Sequence, residues 1–342
     1  MSPRSRTSAA LLSAGLLAGL LPGCGRPGPG APPAPSPPPS LTKVTIGTDW
    51  YPEAEQGGFY QALARGYYRD AGLDVTIEPG GTGSHPVPAL AVGQINFSLA
   101  ASDEVVMDVA HHLPLVIVGA FLQHTPTGLL VHAESPVRTF ADLDHRTVVG
   151  VPGAGWIALV QQKYRIQFDV IPMGFEIGRF LADPRVIQQC YVTNEPYYVS
   201  KAGVKARVLL VSDSGYDPYR VVITNREFLR IHPDLVRAFM AASIRGWNEF
   251  QYGDPAPAID AILKLNPKVD RDFVTESLAV LKRDRIIAGG PEERVGLMTR
   301  ERLERQIQIM ADIKAIDAPY PVQDLATFAF RPEGVPPPPP GP

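Results

Sequence analysis

Residues 44–78 read VTIGTDWYPEAEQGGFYQALARGYYRDAGLDVTIE, and the fold turns on how the period changes along them. Val44 to Gly47 is a short β-rich run. Gly58 to Ala71 has helical spacing, with Phe59, Leu63 and Tyr67 on one face. Gly72 follows, where a helix C-terminus favours glycine. Leu73 to Ile77 then alternates as a strand does. Strand, helix and strand in so short a stretch form a βαβ unit, which calls for parallel strands in one sheet.

The alternation continues outward. Pro86 to Val92 is a short helix stopped by Gly93, Ile95 to Leu99 a strand, Glu104 to His111 a helix and Leu115 to Phe121 a strand. A second series has strands at Gly128–Val131, Thr147–Val151, Ile187–Val192, Val208–Ser212 and Arg220–Thr224. Between them lie a turn or short helix at Phe140–Leu143 and helices at Trp156–Tyr164, Ile177–Ala182 and Glu195–Ala202. From Asn225 the pattern is mainly helical: Pro233–Tyr252, Pro257–Leu265, Arg271–Arg283 and Arg300–Ala315. The predicted class is α/β, with two α/β lobes on mostly parallel sheets. Lobe 1 takes 42–125 plus 225–330, and lobe 2 takes 126–224. In open α/β sheets, ligands bind at the carboxyl ends of the strands. In a two-lobed protein those ends face each other across a cleft.

The ends of the chain read differently. Arg4 and Arg6 precede an apolar run from Ala9 to Leu21, about 13 residues long, which suits a signal-peptide core and is too short to span a bilayer. It ends in Leu21-Pro22-Gly23-Cys24, which resembles a bacterial lipobox, with Pro22 in place of the usual small residue. Cleavage there removes residues 1–23 and leaves Cys24 as the lipidation site. Gly25 to Ser40 holds eight Pro and three Gly, which favours extended polyproline II, so 24–41 reads as a tether. The Pro-rich tail at 331–342 reads as disordered. The 342 residues carry a formal charge of −3, so no nucleic-acid partner is expected. With Cys24 lipidated, Cys190 stands alone and reads as a buried small apolar residue.

Candidate site residues follow the strands. After the first come Asp49, Trp50, Tyr51, Pro52 and Glu53. Trp50 is placed to stack on a planar ligand, against the alternative of a ring folded over the core. Of Glu53 and Glu55, one is expected to be solvated and one functional. After the second strand, Pro79 to Ser84 carries three glycines, among them Gly81, and lines the cleft; it lacks the Lys-Ser/Thr ending of a phosphate loop. Ser102 opens a helix as its N-cap and offers free donors there. Gly153-Ala154-Gly155-Trp156 opens another, with Trp156 either a second ring wall or core. Asn194 and Glu195 precede Pro196 at a helix start. Glu195 either faces the cleft and accepts hydrogen bonds, or stabilises the helix dipole. Tyr51, Tyr198 and Tyr219 are further candidates. No Gly-x-Ser-x-Gly, His-Glu-x-x-His or Walker motif is present, and His111-His112 lacks a third ligand at metal spacing, so neither catalytic residues, metal nor cofactor are expected.

Asp49-Trp50-Tyr51-Pro52-Glu53, Gly58 to Leu63, Gly66-Tyr67-Tyr68 and Gly72-Leu73-Asp74-Val75 resemble the opening of ABC-importer substrate-binding proteins of the thiamine-pyrimidine-precursor and alkanesulfonate/taurine/nitrate group. Tyr191 to Tyr197, Gly215 to Tyr219 and Pro233 to Trp247 resemble later landmarks of that group. The resemblance covers about residues 42 to 290. It implies a type II periplasmic-binding-protein fold, whose lobes are joined by two crossings, here expected near Gln123–Gly128 and near Thr224. It implies a monomeric, non-enzymatic, membrane-anchored protein outside the cytoplasm, with a small-molecule ligand and with permease and ATPase subunits as partners. Acids and aromatic rings favour a flat, donor-bearing heterocycle such as hydroxymethylpyrimidine or a formylaminopyrimidine. A flavin, a sulfonate or nitrate is the alternative. A fungal branch of the fold makes the pyrimidine from an active-site histidine and a pyridoxal cofactor; it is the less favoured reading.

Overall fold

The computed structural model describes residues 40–174, 176–289 and 293–330. The signal segment, Cys24, nearly all of the tether and the 331–342 tail lie outside the described residues. The first half of the body runs β1 (Thr42–Gly47), α1 (Gly57–Ala64), α2 (Tyr67–Asp70), β2 (Leu73–Glu78), α3 (Val87–Ala91), β3 (Phe97–Ala101), α4 (Ser102–Ala110) and β4 (Leu115–Leu122). Then come β5 (Thr127–His132), β6 (Thr147–Gly150), α5 (Gly155–Tyr164), β7 (Asp169–Pro172), α6 (Gly178–Ala182), β8 (Ile187–Tyr191), α7 (Glu195–Lys201) and β9 (Ala206–Leu210). The last part is β10 (Arg220–Asn225), α8 (Arg226–Ile231), α9 (Pro233–Tyr252), α10 (Ala256–Leu265), α11 (Arg271–Arg283) and α12 (Arg300–Asp312).

The strands form two five-stranded sheets, in the orders β2-β1-β3-β10-β4 and β7-β6-β8-β5-β9. In each sheet one strand opposes the rest: β10 is antiparallel to β3 and β4, and β5 to β8 and β9. The reversed strands are the two by which the chain enters a sheet from the other one. A chain that leaves β4 at its carboxyl end and passes directly across must enter the second sheet from the same side. It therefore runs against neighbours whose carboxyl ends point there. The outward crossing, between Leu122 and Thr127, lies where expected. The return crossing does not. It runs from Leu210 through a 3₁₀ turn at Val211–Ser214 to Arg220, and Thr224 is mid-strand, paired with Phe97 and Val116. Arg220–Thr224 thus belongs with the first sheet, because it slots between β3 and β4 rather than extending the second series.

β4 is buried at all eight positions, and its side chains alternate between two cores. Val116 and Val118 pack with α1, α9, α10 and α11, whereas Leu115 and Ile117 pack with residues of α4 and α12. Burial on both faces is why this strand reads as a continuous apolar run. α1 and α9 pack closely at two glycines: a Cβ on Gly246 would lie 2.3 Å from the Gly58 carbonyl oxygen, and one on Gly58 2.1 Å from the Trp247 ring.

The helix expected over Gly58–Ala71 is two pieces, broken at Gly66, whose φ of 76° suits glycine. Phe59, Tyr60, Ala62 and Tyr68 are inside, and Leu63 is 40% exposed. The short edge strand β7 and helix α8 are additional to the predicted elements. No helix among the described residues is long and apolar enough to cross a membrane.

Candidate functional site

The strand ends surround a cavity of about 300 Å³. The segment after β1 gives it Asp49, Trp50, Glu53 and Glu55, the start of α4 gives Asp103 and Glu104, and β10 opens into it with Arg220. From the second sheet come Trp156, Gln189, Cys190, Tyr191, Asn194 and Glu195, and from the return crossing Tyr216.

Trp50 is held by the backbone beneath it. Thr48 Oγ1 donates to the Trp50 carbonyl at 2.9 Å, and the Gly80 N–H donates to the same carbonyl at 3.1 Å. Gly80 is needed there, since a Cβ would lie 2.3 Å from the Thr48 carbonyl oxygen. The glycine-rich loop thus supports the Trp50 segment from behind. The Trp50 side chain also hydrogen-bonds Glu53.

Glu53, Glu55, Asp103 and Glu195 are buried, Asp49 is half-buried and Glu104 reaches the surface. Glu53 accepts from Asn194 Nδ2 at 3.1 Å, and Glu55 accepts from the Thr193 hydroxyl. These contacts join the β1 loop to the β8–α7 loop across the cavity. Arg220 pairs with Asp49, Tyr216 donates to Asp103, and Glu195 accepts from the Tyr191 N–H at 2.8 Å. Burial, with the charge of Glu55 behind it, pushes the Glu53 carboxyl up to about 8. Burial raises Glu195 to about 7, and burial with the Asp103 charge raises Glu104 to about 7. Glu55 and Asp103 are raised as well, again chiefly by burial. Neither Glu53, 7% exposed, nor Glu55, 6% exposed, is the solvated partner expected of that pair.

Among the candidates read from the sequence, Trp50, Glu53, Trp156, Asn194 and Glu195 share the cavity wall. Trp156 also stacks on Phe168 at 6.0 Å, so a ring that lines the cavity is packed against the core as well. The other six lie outside the wall. Tyr51 turns to Gly81, where a Cβ would touch its ring at 2.8 Å, and the two pack on each other. Ser102 is occupied by Tyr219: its Oγ accepts the Tyr219 N–H at 3.0 Å and its own N–H donates to the Tyr219 carbonyl. The Tyr219 ring is buried, with the Arg302 guanidinium 3.9 Å from its centroid. Gly153 makes the turn before α5, and Tyr198 stacks on Phe273 at 5.2 Å. Arg220, Tyr216, Glu104, Gln189 and Tyr191 were not expected. Arg220 carried the one local signal, a charge opening the apolar run Arg220–Thr224.

The model of the family described as NMT1/THI5 like matches residues 53–258, more than half of the chain. The chain belongs to that family. A relative in Chloroflexus aurantiacus, the riboflavin-binding protein RibY, is 25% identical over 90% of this chain and 91% of its own. A formylaminopyrimidine-binding protein of Halalkalibacterium halodurans is 25% identical over 74% of this chain and 80% of its own. The family includes enzymes as well: a 4-amino-5-hydroxymethyl-2-methylpyrimidine phosphate synthase of Saccharomyces cerevisiae is 22% identical over 68% of this chain and 74% of its own. In fold, the chain resembles the periplasmic aliphatic sulphonate binding protein SsuA of Escherichia coli, with a TM-score of 0.64 at 14% identity, over 86% of this chain and 95% of that one. The NMT1/THI5-like chain thus has the α/β periplasmic-binding-protein architecture expected from its sequence, with four strands of each sheet running one way.

Proposed function

We propose that this protein is the extracytoplasmic solute-binding component of an ABC importer, and that its ligand is a small, flat, donor-bearing N-heterocycle of the pyrimidine type. The observation that carries the ligand class is the charge balance of the cavity. Six carboxylates (Asp49, Glu53, Glu55, Asp103, Glu104 and Glu195) share the described wall with one guanidinium, and that guanidinium is bonded to Asp49. A sulfonate or nitrate entering this wall finds its one guanidinium already bonded to Asp49. A ring bearing amino groups meets acceptors, with Trp50 and Trp156 to cover its faces. A cavity of about 150 Å³ holds one benzene ring. About 300 Å³ therefore suits a substituted pyrimidine better than a three-ring flavin with its sugar chain.

The two lobes, one on each sheet, close on the ligand, and the Glu53–Asn194 and Glu55–Thr193 contacts are the closing contacts. The relatives named as binding proteins support the transport role.

A thermal-shift screen of pyrimidines, flavins, sulfonates and nitrate tests the ligand class. A pyrimidine at 100 times its dissociation constant is expected to add about 2.7 kcal/mol of stability. A response confined to sulfonates or nitrate overturns the reading. Trp50→Ala is expected to weaken pyrimidine binding at least tenfold, roughly 1.4 kcal/mol; unchanged affinity by calorimetry removes Trp50 from the site. Cys24 is the proposed lipid anchor that keeps the protein beside its permease. Cys24→Ser is expected to move the protein from the membrane to the soluble fraction. Continued sedimentation with membranes rules this anchor out.

A further inference from the structure

Three carboxylates of the cavity wall share a pattern: one oxygen is fixed by a protein donor and the other has none. Glu55 Oε1 accepts from Thr193, and Glu55 Oε2 has no partner. Asp103 Oδ2 accepts from Tyr216, and Asp103 Oδ1 has none. Asp49 Oδ2 accepts from Arg220, and Asp49 Oδ1 has none. Glu55 and Asp103 are 6% and 9% exposed, so water is a poor substitute. A buried acceptor left without a donor costs about 1–3 kcal/mol, and more when charged. Such atoms are rare in folded proteins, and three in one cavity wall call for a donor that the chain does not supply.

The charges point the same way. Arg220 acts on Glu55, Asp103 and Glu104 and pairs with Asp49, so one cation faces four acids. Glu53 and Glu195 differ: Glu53 is held by Asn194 and Trp50, and Glu195 accepts the Tyr191 N–H. The two sets of acids adjoin at Glu55, whose charge also acts on Glu53 and Glu195.

We propose that Asp49, Glu55 and Asp103 form a cation subsite that takes a positively charged, N–H-bearing arm of the ligand, a primary ammonium or an amidinium. The proposal rests on the heterocycle reading above and deepens it: the ring lies between Trp50 and Trp156, and the arm reaches past Arg220. An ammonium brings three donors and one positive charge. Its hydrogen bonds to carboxylates are of the charge-assisted kind, about twice as strong as neutral ones. A neutral hydroxyl brings one donor and no charge, and a methyl group brings neither.

The test uses the full chain and three 4-aminopyrimidines that differ only at C5, which carries methyl, hydroxymethyl or aminomethyl. Calorimetry at neutral pH, where the aminomethyl group is charged, gives three dissociation constants. The aminomethyl compound is expected to bind at least tenfold more tightly than the methyl compound, with the hydroxymethyl compound between them. In Asp103→Asn and in Glu55→Gln the aminomethyl-to-methyl affinity ratio is expected to fall at least tenfold. The ratio compares two ligands on one variant, so a general loss of folding does not imitate the effect. Equal affinities for the three compounds on the unaltered protein overturn the cation subsite and leave the heterocycle reading in place. A ratio unchanged in both variants overturns the assignment to these residues. Failure of all three compounds to bind overturns the heterocycle reading and the subsite with it.

Discussion

Replacing Trp247 by alanine is expected to lower the unfolding free energy by about 3–5 kcal/mol, the range for a core aromatic. The indole is fully buried. It meets Phe59 edge-on at 5.7 Å and Phe250 edge-on at 6.0 Å, and lies over Phe121 at 5.8 Å and 28°. The hole left behind has little to fill it. On the α1 side the facing residue is Gly58, which has no side chain to move in, and its backbone is already against α9. The consequences reach the cavity, because Phe121 is both a partner of Trp247 and part of the cavity wall. At about 2–4 °C per kcal/mol for a chain of this size, the melting temperature should fall by roughly 10 °C. Trp247→Phe separates ring from volume. It keeps most of the packing and removes an indole N–H that has no acceptor, so its cost should stay below about 1.5 kcal/mol. Denaturant unfolding of the two variants decides the matter. An alanine variant that loses less than 1 kcal/mol would show that the neighbouring rings close over the gap.

The architecture was legible because its signals are local. β4 reads as a strand buried on both faces from eight consecutive residues, Leu115 to Leu122. The outward crossing falls where an apolar run ends and a new one begins. The site was legible only in part, and the split has a physical cause. Glu195 announces itself by standing before a proline at a helix start, and Trp50 by standing in a loop after the first strand. Nothing local marks Arg220 as the partner of Asp49, 171 positions away. That contact exists because β10 inserts between β3 and β4, a pairing between distant segments. The same limit explains Ser102, Tyr198 and Tyr219. Ser102 opens α4, Tyr198 lies inside α7 and Tyr219 directly precedes β10. Each turns toward a neighbour that no local pattern names, Tyr219, Phe273 and Arg302 respectively, rather than toward the cavity. Leu63 is exposed for a simpler reason: a break at Gly66 ends the helix two turns early, and the buried face of α1 is set by α9 and α10.

Arg220→Met is expected to cost about 3–5 kcal/mol at pH 8, the usual result of removing one partner from a buried charge cluster, and much less at pH 5. The sign follows from the acids around it. Burial lifts Glu195 from an ordinary 4.5 to about 7, and burial with the Glu55 charge lifts Glu53 to about 8. An acid raised by folding binds its proton more tightly in the folded state. Its contribution to stability is complete below about pH 4.5 and is lost as the pH rises through about 7 to 8. The unliganded protein should therefore melt at a lower temperature at pH 8 than at pH 5. Arg220 limits that loss, because its charge lowers Glu55, Asp103 and Glu104. Methionine keeps much of the side-chain volume and removes the charge. The acids then rise further, and the loss of stability continues to higher pH. At pH 5 Glu53 and Glu195, raised to about 8 and about 7, are largely protonated in both proteins, so less acid charge surrounds the guanidinium and its removal costs less. Unfolding curves at the two pH values, for both proteins, measure the difference directly. A deficit of the same size at pH 5 and pH 8 would assign Arg220 a packing role. A deficit that grows with pH identifies the guanidinium as what allows four carboxylates to share one wall of the cavity.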